Sequence, residues 1–132
     1  MSLSDDFFGQ QLRAVPLVCI FRGLSTDTTL ALCETAWSSG VRLVEIPVQS
    51  PAAFATIREA SARVGNDPSR FIGAGTITST RLLADATDAG AEFLVCPDLR
   101  EDVLKEADAR AIPCLPGVAT ATESGLALDL GH

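Results

Sequence analysis

The stretch SSGVRLVEIPVQSP, residues 38–51, holds the end of a helix, a glycine, a buried strand, a turn and the start of the next helix. From Leu43 to Val48 apolar residues occupy both faces, the pattern of a strand covered on both sides in a parallel sheet. One residue breaks it. Glu45 stands in the middle, and taking an unpaired carboxylate out of water costs several kcal/mol or drives its pKa upward. Strand alternation puts Val41, Leu43, Glu45 and Pro47 on one face, and Val44, Ile46 and Val48 on the other. If the aliphatic face meets helices, Glu45 points into the mouth of a barrel.

The same phrase recurs on either side. PLVCIF (16–21), VRLVEIPV (41–48), RFIGAG (70–75), EFLVC (92–96) and IPCLPG (112–117) read as strands, and helical patterns alternate with them. The first intervening helix sets Leu30, Cys33, Ala36 and Trp37 on one face, and the second does so with Phe54, Ile57, Ala60 and Val64. Ser50-Pro51 reads as a cap followed by a proline at the first helical position. Asp98 with Glu101, and Thr120 with Glu123, fit capping boxes, while Gly40, Gly65 and Gly90 mark helix ends. Asp5 to Ala14 predicts a short extra helix before the first strand.

Five βα units of this kind form a parallel α/β sheet. SSGVRLVEI (38–46) and DAGAEFLVC (88–96) each run from a helix end through glycine into a strand, and DLGH (129–132) begins the same phrase, so a sixth strand is expected beyond it. Two architectures fit: a five-stranded, doubly wound flavodoxin-like domain, or the first five units of a (β/α)8 TIM barrel. In both, sites gather at the C-terminal strand ends, where this chain places Arg22-Gly23, Glu45, Gln49-Ser50, Gly75-Thr76, Pro97-Asp98 and Pro116-Gly117. RGLST after the first strand is neither a flavin phosphate loop nor an aspartate cluster, which favours the barrel. Residues 1–132 are expected to form a single domain, an incomplete barrel with strands 1–5, helices 1–5 and the short N-terminal helix.

Composition narrows the function classes. The chain has 132 residues, 47% of them hydrophobic, with a net charge of −7. That charge disfavours nucleic acid or an anionic membrane as partner, since either requires a basic face. The first ten residues lack the basic and apolar regions of a secretory signal, and no segment is long enough to span a bilayer. Cys19, Cys33, Cys96 and Cys114 form no C-x-x-C pair and only one histidine accompanies them, so they read as free buried thiols in a reducing cytoplasm, without a metal site.

Glu45 is the candidate acid/base. Partial burial moves a carboxyl group toward neutrality, which suits proton transfer, while a nearby cation opposes the shift. The competing readings are an internal ion pair with Arg22 and a rim carboxylate facing water.

PLVCIFRG (16–23), VEIPVQSP (44–51), FIGAGT (71–76) and LPGVATATE (115–123), in this order and spacing, resemble the 2-keto-3-deoxy-6-phosphogluconate aldolases and their 6-phosphogalactonate relatives. The resemblance implies a (β/α)8 barrel, a homotrimer, and class I aldol cleavage of a 2-keto-3-deoxy-6-phospho sugar acid to pyruvate and glyceraldehyde 3-phosphate. No metal or other cofactor is implied, and the partner is a small keto-acid phosphate. Glu45 matches the family's proton-transferring glutamate. By the same resemblance Arg22 binds the carboxylate end of the substrate, Thr76 donates a hydrogen bond to the pyruvate portion, and Pro97 lines its wall. On residue type alone, Arg22 fits a rim ion pair, Thr76 a cap or turn residue, and Pro97 a strand terminator.

Gln49 stands where phosphogluconate-type enzymes usually carry an arginine, so with Ser50 it tilts the resemblance toward the phosphogalactonate branch; helix-capping surface is its other reading. The family's Schiff-base lysine lies on the sixth strand. Lys105, the single lysine here, falls instead on the fourth helix, four residues after Glu101, an arrangement that favours a solvated helical pair. The 132 residues alone are therefore expected to be inactive, and a barrel fragment serving as a binding or scaffold module is the alternative from another class.

Overall fold

The computed structural model describes residues 2–132. Five strands, β1 (Val18–Ile20), β2 (Leu43–Pro47), β3 (Phe71–Gly75), β4 (Phe93–Val95) and β5 (Cys114–Leu115), lie in one sheet. Helix α1 (Leu3–Ala14) precedes them. α2 (Thr26–Ser38), α3 (Ala52–Val64), α4 (Thr80–Asp88), α5 (Glu101–Ala109) and α6 (Ala121–Asp129) each follow a strand. Every strand pair is parallel and the spatial order is the chain order, β1-β2-β3-β4-β5. A flavodoxin-like sheet reverses direction after its first crossover and would place β1 inside the sheet. This chain always steps the same way, as the wall of a (β/α)8 barrel does, and it supplies five of that barrel's units.

The two faces of the wall have separate cores. Val44, Ile46, Ile72, Ala74, Leu94 and Cys114 face the helices, where they meet Leu30, Cys33, Trp37, Ile57, Ala60, Leu83 and Leu104. The expected faces of α2 and α3 are those the structure buries, with Phe54 at the margin.

On the inner face Leu43 and Phe93 join Phe8, with Phe7, Leu12, Val18, Phe71 and Val95 packed around them. Phe7 meets Phe71 edge-on at 5.3 Å between ring centroids, and Phe8 meets Phe93 at 5.8 Å. Helix α1 thus closes the N-terminal end of the wall's inner face. It begins two residues earlier than Asp5 because Ser2 caps it, in a capping box with Asp5. Gly73 is required here, since a Cβ at that position would overlap the Phe93 ring.

Helix ends repeat a single device. The N–H groups of Val41, Ala91, Ile112 and His132 donate to the carbonyls of Ala36, Ala86, Ala107 and Ala127, five residues earlier, at 2.9–3.0 Å. A left-handed residue precedes each donor: Gly40, Gly90, Ala111 and Gly131. This is the Schellman closure, which satisfies helix carbonyls and turns the chain back toward the sheet. After the first three, a strand starts two residues later.

Two cap expectations fail. Pro51 is the N-cap of α3 rather than its first residue, and no side chain caps that helix. Asp98 makes no capping box with Glu101, because its carboxylate is taken by Arg100, at 3.0 Å to Nε and 2.9 Å to Nη2. The box of Thr120 with Glu123 forms as expected.

The free side of β5 is tied to α1. The Cys114 N–H donates to Ser4 Oγ at 3.0 Å, and the Cys114 carbonyl accepts from His132 Nδ1 at 3.1 Å. No helix among the described residues is long and apolar enough to cross a membrane.

Candidate active site

Glu45 occupies the centre of β2, paired with Ile20 of β1 on one side and Gly73 of β3 on the other. It shares the inner face with Leu43 and is only 3% exposed. Burial pushes its carboxyl pKa above the ordinary range, and the charge of Arg22 pulls it partly back. No cation lies within ion-pair distance of Glu45 among the described residues. The internal ion pair with Arg22 is therefore not formed, and neither is a carboxylate standing free in water.

Room for the carboxylate comes from β3. A Cβ at Gly75 would land on Glu45 Oε1, so the acid lies flat against glycine backbone at the C-terminal end of the neighbouring strand. Thr76, the next residue, holds a left-handed φ of 61°. A β-branched side chain is strained there, and such strain collects at functional sites. The cap of α4 is Ser79, whose Oγ accepts the Leu82 N–H, so helix capping does not account for Thr76.

Backbone bonds align the remaining strand ends. The Phe21 N–H donates to the Glu45 carbonyl at 3.0 Å, which sets Arg22 two residues beyond β1 at the rim, exposed and without an ion-pair partner among the described residues. The Val48 N–H donates to the Gly75 carbonyl at 2.9 Å, and the Ile77 N–H to the Val95 carbonyl at 3.2 Å. Pro97, exposed just past β4, has its carbonyl pressed against Gly117, where no Cβ would fit.

Gln49 sits differently. It is exposed and lines a recess of about 290 Å³ between the starts of α2 and α3, with Ser25, Thr26, Thr29 and Thr56. Glu45, Arg22, Thr76 and Pro97 are not part of that recess. The inner-face group is an open, half-walled surface, bordered by Ile20 at 50% and Leu115 at 42% exposure on the two outer strands.

A buried carboxyl group with an elevated pKa, a nearby guanidinium and a strained hydroxyl at adjoining strand ends can bind an anionic carbonyl compound and move protons at it. Residues 8–132 match the family model described as KDPG and KHG aldolase. The chain belongs to this aldolase family.

Among its relatives is the 2-dehydro-3-deoxy-phosphogluconate aldolase of Dickeya dadantii (strain 3937), 34% identical over 122 residues, which are 92% of this chain and 56% of that one. The 2-dehydro-3-deoxy-6-phosphogalactonate aldolase of Escherichia coli (strain K12) is 32% identical over 117 residues, 89% of this chain and 56% of that one. A crystal structure of KDPG aldolase from Legionella pneumophila, holding pyruvate captured as a covalent carbinolamine, superposes with a TM-score of 0.84 at 25% identity, over 94% of this chain and 59% of that one. The chain spans about half the length of the curated relatives it matches.

Lys105 lies on α5, exposed, and pairs with Glu101 at 3.1 Å. No cluster of metal-ligating side chains occurs among the described residues. Two features of the site were not drawn from the sequence. Its place at a strand end gives Gly75 no partner, although glycine across from a buried acid is the signal that space is being kept for it. The left-handed backbone of Thr76 leaves no mark in residue type at all.

Proposed function

We propose that this chain is the acid/base-bearing part of a class I aldolase that cleaves a 2-keto-3-deoxy-6-phospho sugar acid to pyruvate and glyceraldehyde 3-phosphate. The observation that carries the reading is Glu45, buried on the inner face against Gly75 with its pKa raised. A lysine amine from outside these residues attacks the keto carbon, and Glu45 gives a proton to the departing hydroxyl, so that water leaves and an iminium forms. Glu45, now a carboxylate, takes the proton of the hydroxyl at the cleavage point. The carbon–carbon bond breaks, the aldehyde departs, and the bonding electrons pass into the iminium to give an enamine. The raised pKa makes the protonated form of Glu45 easier to reach than that of an ordinary carboxyl group.

Arg22 holds the substrate carboxylate, Thr76 donates to the pyruvate portion and Pro97 borders it. Gln49, with Ser50, favours the phosphogalactonate acid over phosphogluconate, through an amide where a guanidinium would otherwise meet the substrate. The assembly is a homotrimer in the cytoplasm, and light scattering of the purified protein tests the trimer.

Pyruvate and borohydride test the chemistry. The complete enzyme is expected to gain a stable pyruvyl adduct, whereas residues 1–132 alone gain none. Glu45→Gln in the complete enzyme is expected to lower kcat by roughly 10²–10⁴-fold with a much smaller change in KM. If the complete protein stays unlabelled, the Schiff-base reading fails and a binding or scaffold role takes its place.

A further inference from the structure

The four cysteines are not equivalent. Cys96 directly follows β4 and Cys114 opens β5, and their sulfur atoms stand 3.4 Å apart on the helix-facing side of the wall. Backbone hydrogen bonds join the two segments that carry them. The Leu94 N–H donates to the Pro113 carbonyl at 2.8 Å, and the Cys96 N–H to the Leu115 carbonyl at 2.9 Å. Cys19 and Cys33 have no such partner among the described residues.

We propose that Cys96 and Cys114 form an oxidation-sensitive dithiol, which a hydroperoxide converts to a disulfide linking the C-terminal end of β4 to β5 beside Pro97. The two thiols share one hydrogen bond, which holds the Cys96 thiol below the ordinary range and pushes that of Cys114 up. Cys96 is therefore the thiolate that attacks. Its sulfur takes the distal oxygen of the hydroperoxide, the O–O bond breaks, and the alcohol or water leaves with a proton. Cys96 is then a sulfenic acid. Cys114 sulfur attacks Cys96 sulfur, and its proton departs with the hydroxyl as water. Two thiols lose two electrons in all, and one hydroperoxide is reduced.

Cys96 is nearly covered, yet it is the last buried residue before the exposed Pro97, so the oxidant approaches from the rim. Closing the gap to a bond of about 2.05 Å draws the two strand ends together. That movement bears on the contact of the Pro97 carbonyl with Gly117, which has no slack for even one added carbon. The modification thus reaches the rim without touching Glu45.

The experiment is peroxide titration of the folded protein followed by tryptic mapping without reduction. Cleavage after arginine and lysine puts the four cysteines on four different peptides, with Cys96 on 82–100 and Cys114 on the peptide starting at Ala111. The expected result is a thiol titre lower by two, those two peptides joined, and full reversal by dithiothreitol. In Cys114→Ser, Cys96 is expected to persist as a sulfenic acid that dimedone traps. The map of the unaltered protein depends on no variant folding. An unchanged titre, a first cross-link between other cysteines, or dimedone on Cys114 rather than Cys96 in the respective single variants overturns the proposal.

Discussion

Glu45 Oε1 occupies the space that a side chain at Gly75 would need. The acid on β2 and the glycine on β3 are two halves of one feature, brought side by side because Pro47 pairs with Gly75 across the parallel ladder. The carboxyl group is thereby kept out of water while its strand remains fully paired.

Gly75→Ala is accordingly expected to destabilise the protein by about 1–3 kcal/mol, the usual range for overpacking a filled interior. Urea unfolding measures it. In a Glu45→Ala background the same change is expected to cost much less, since the atom it collides with is gone. Equal costs in both backgrounds would show that the two residues do not compete for space.

Glu45 also sets a pH dependence of stability. Its folded pKa lies above the unfolded value, because burial disfavours the charged form more than Arg22 favours it. The folded state therefore binds more protons than the unfolded state between those two pKa values, and the contribution of Glu45 falls as pH rises through that window. Glu45→Gln is expected to be more stable than the parent at pH 7 and to lose that advantage below the unfolded carboxyl pKa of 4.5. Paired urea titrations at the two pH values decide it, and an advantage that grows in acid would contradict the sign.

Ala111 holds the left-handed position that glycine fills at the other three Schellman closures, with φ at 52°. Ala111→Gly is expected to raise stability by roughly 0.5–1 kcal/mol, the relief of the Cβ clash less the extra freedom of an unfolded glycine. Thermal unfolding followed by circular dichroism reads this as a higher Tm.

Thr76 is strained in the same region of backbone space, but relief there is expected to act in two directions. Thr76→Gly is expected to gain stability of up to about 1 kcal/mol while raising KM for the keto acid, because the hydroxyl proposed to meet the pyruvate portion is lost. Denaturation and steady-state kinetics on one preparation separate the two. Unchanged KM would leave Thr76 a turn residue and nothing more.

The candidate site was legible where its signal was local. Glu45 stood out because a charge in an apolar strand is an anomaly of residue type, and alternation alone assigned it a face. Arg22, Thr76 and Pro97 were legible as strand-end residues. Gln49 falls in the same group by its place after β2, yet it is exposed and borders recesses on both sides of the start of α3, a placement that alternation ceases to govern once a strand ends. Asp98 misled for a similar reason. Its spacing to Glu101 suits a cap, but spacing does not reveal that Arg100 offers two N–H groups with a full charge.

Sequence by itself determined the five βα units, their parallel sense and the face of Glu45, because these rest on periodicities of 2 and 3.6 and on glycine at helix ends, all properties of neighbouring residues. Only the tertiary structure decided the strand order that separates a barrel wall from a doubly wound sheet. It alone also showed α1 closing the inner face through Phe7 and Phe8, the space Gly75 leaves for Glu45, and the meeting of Cys96 with Cys114. Each of these joins residues far apart in the chain, whose contact depends on how layers stack and which strand lies beside which.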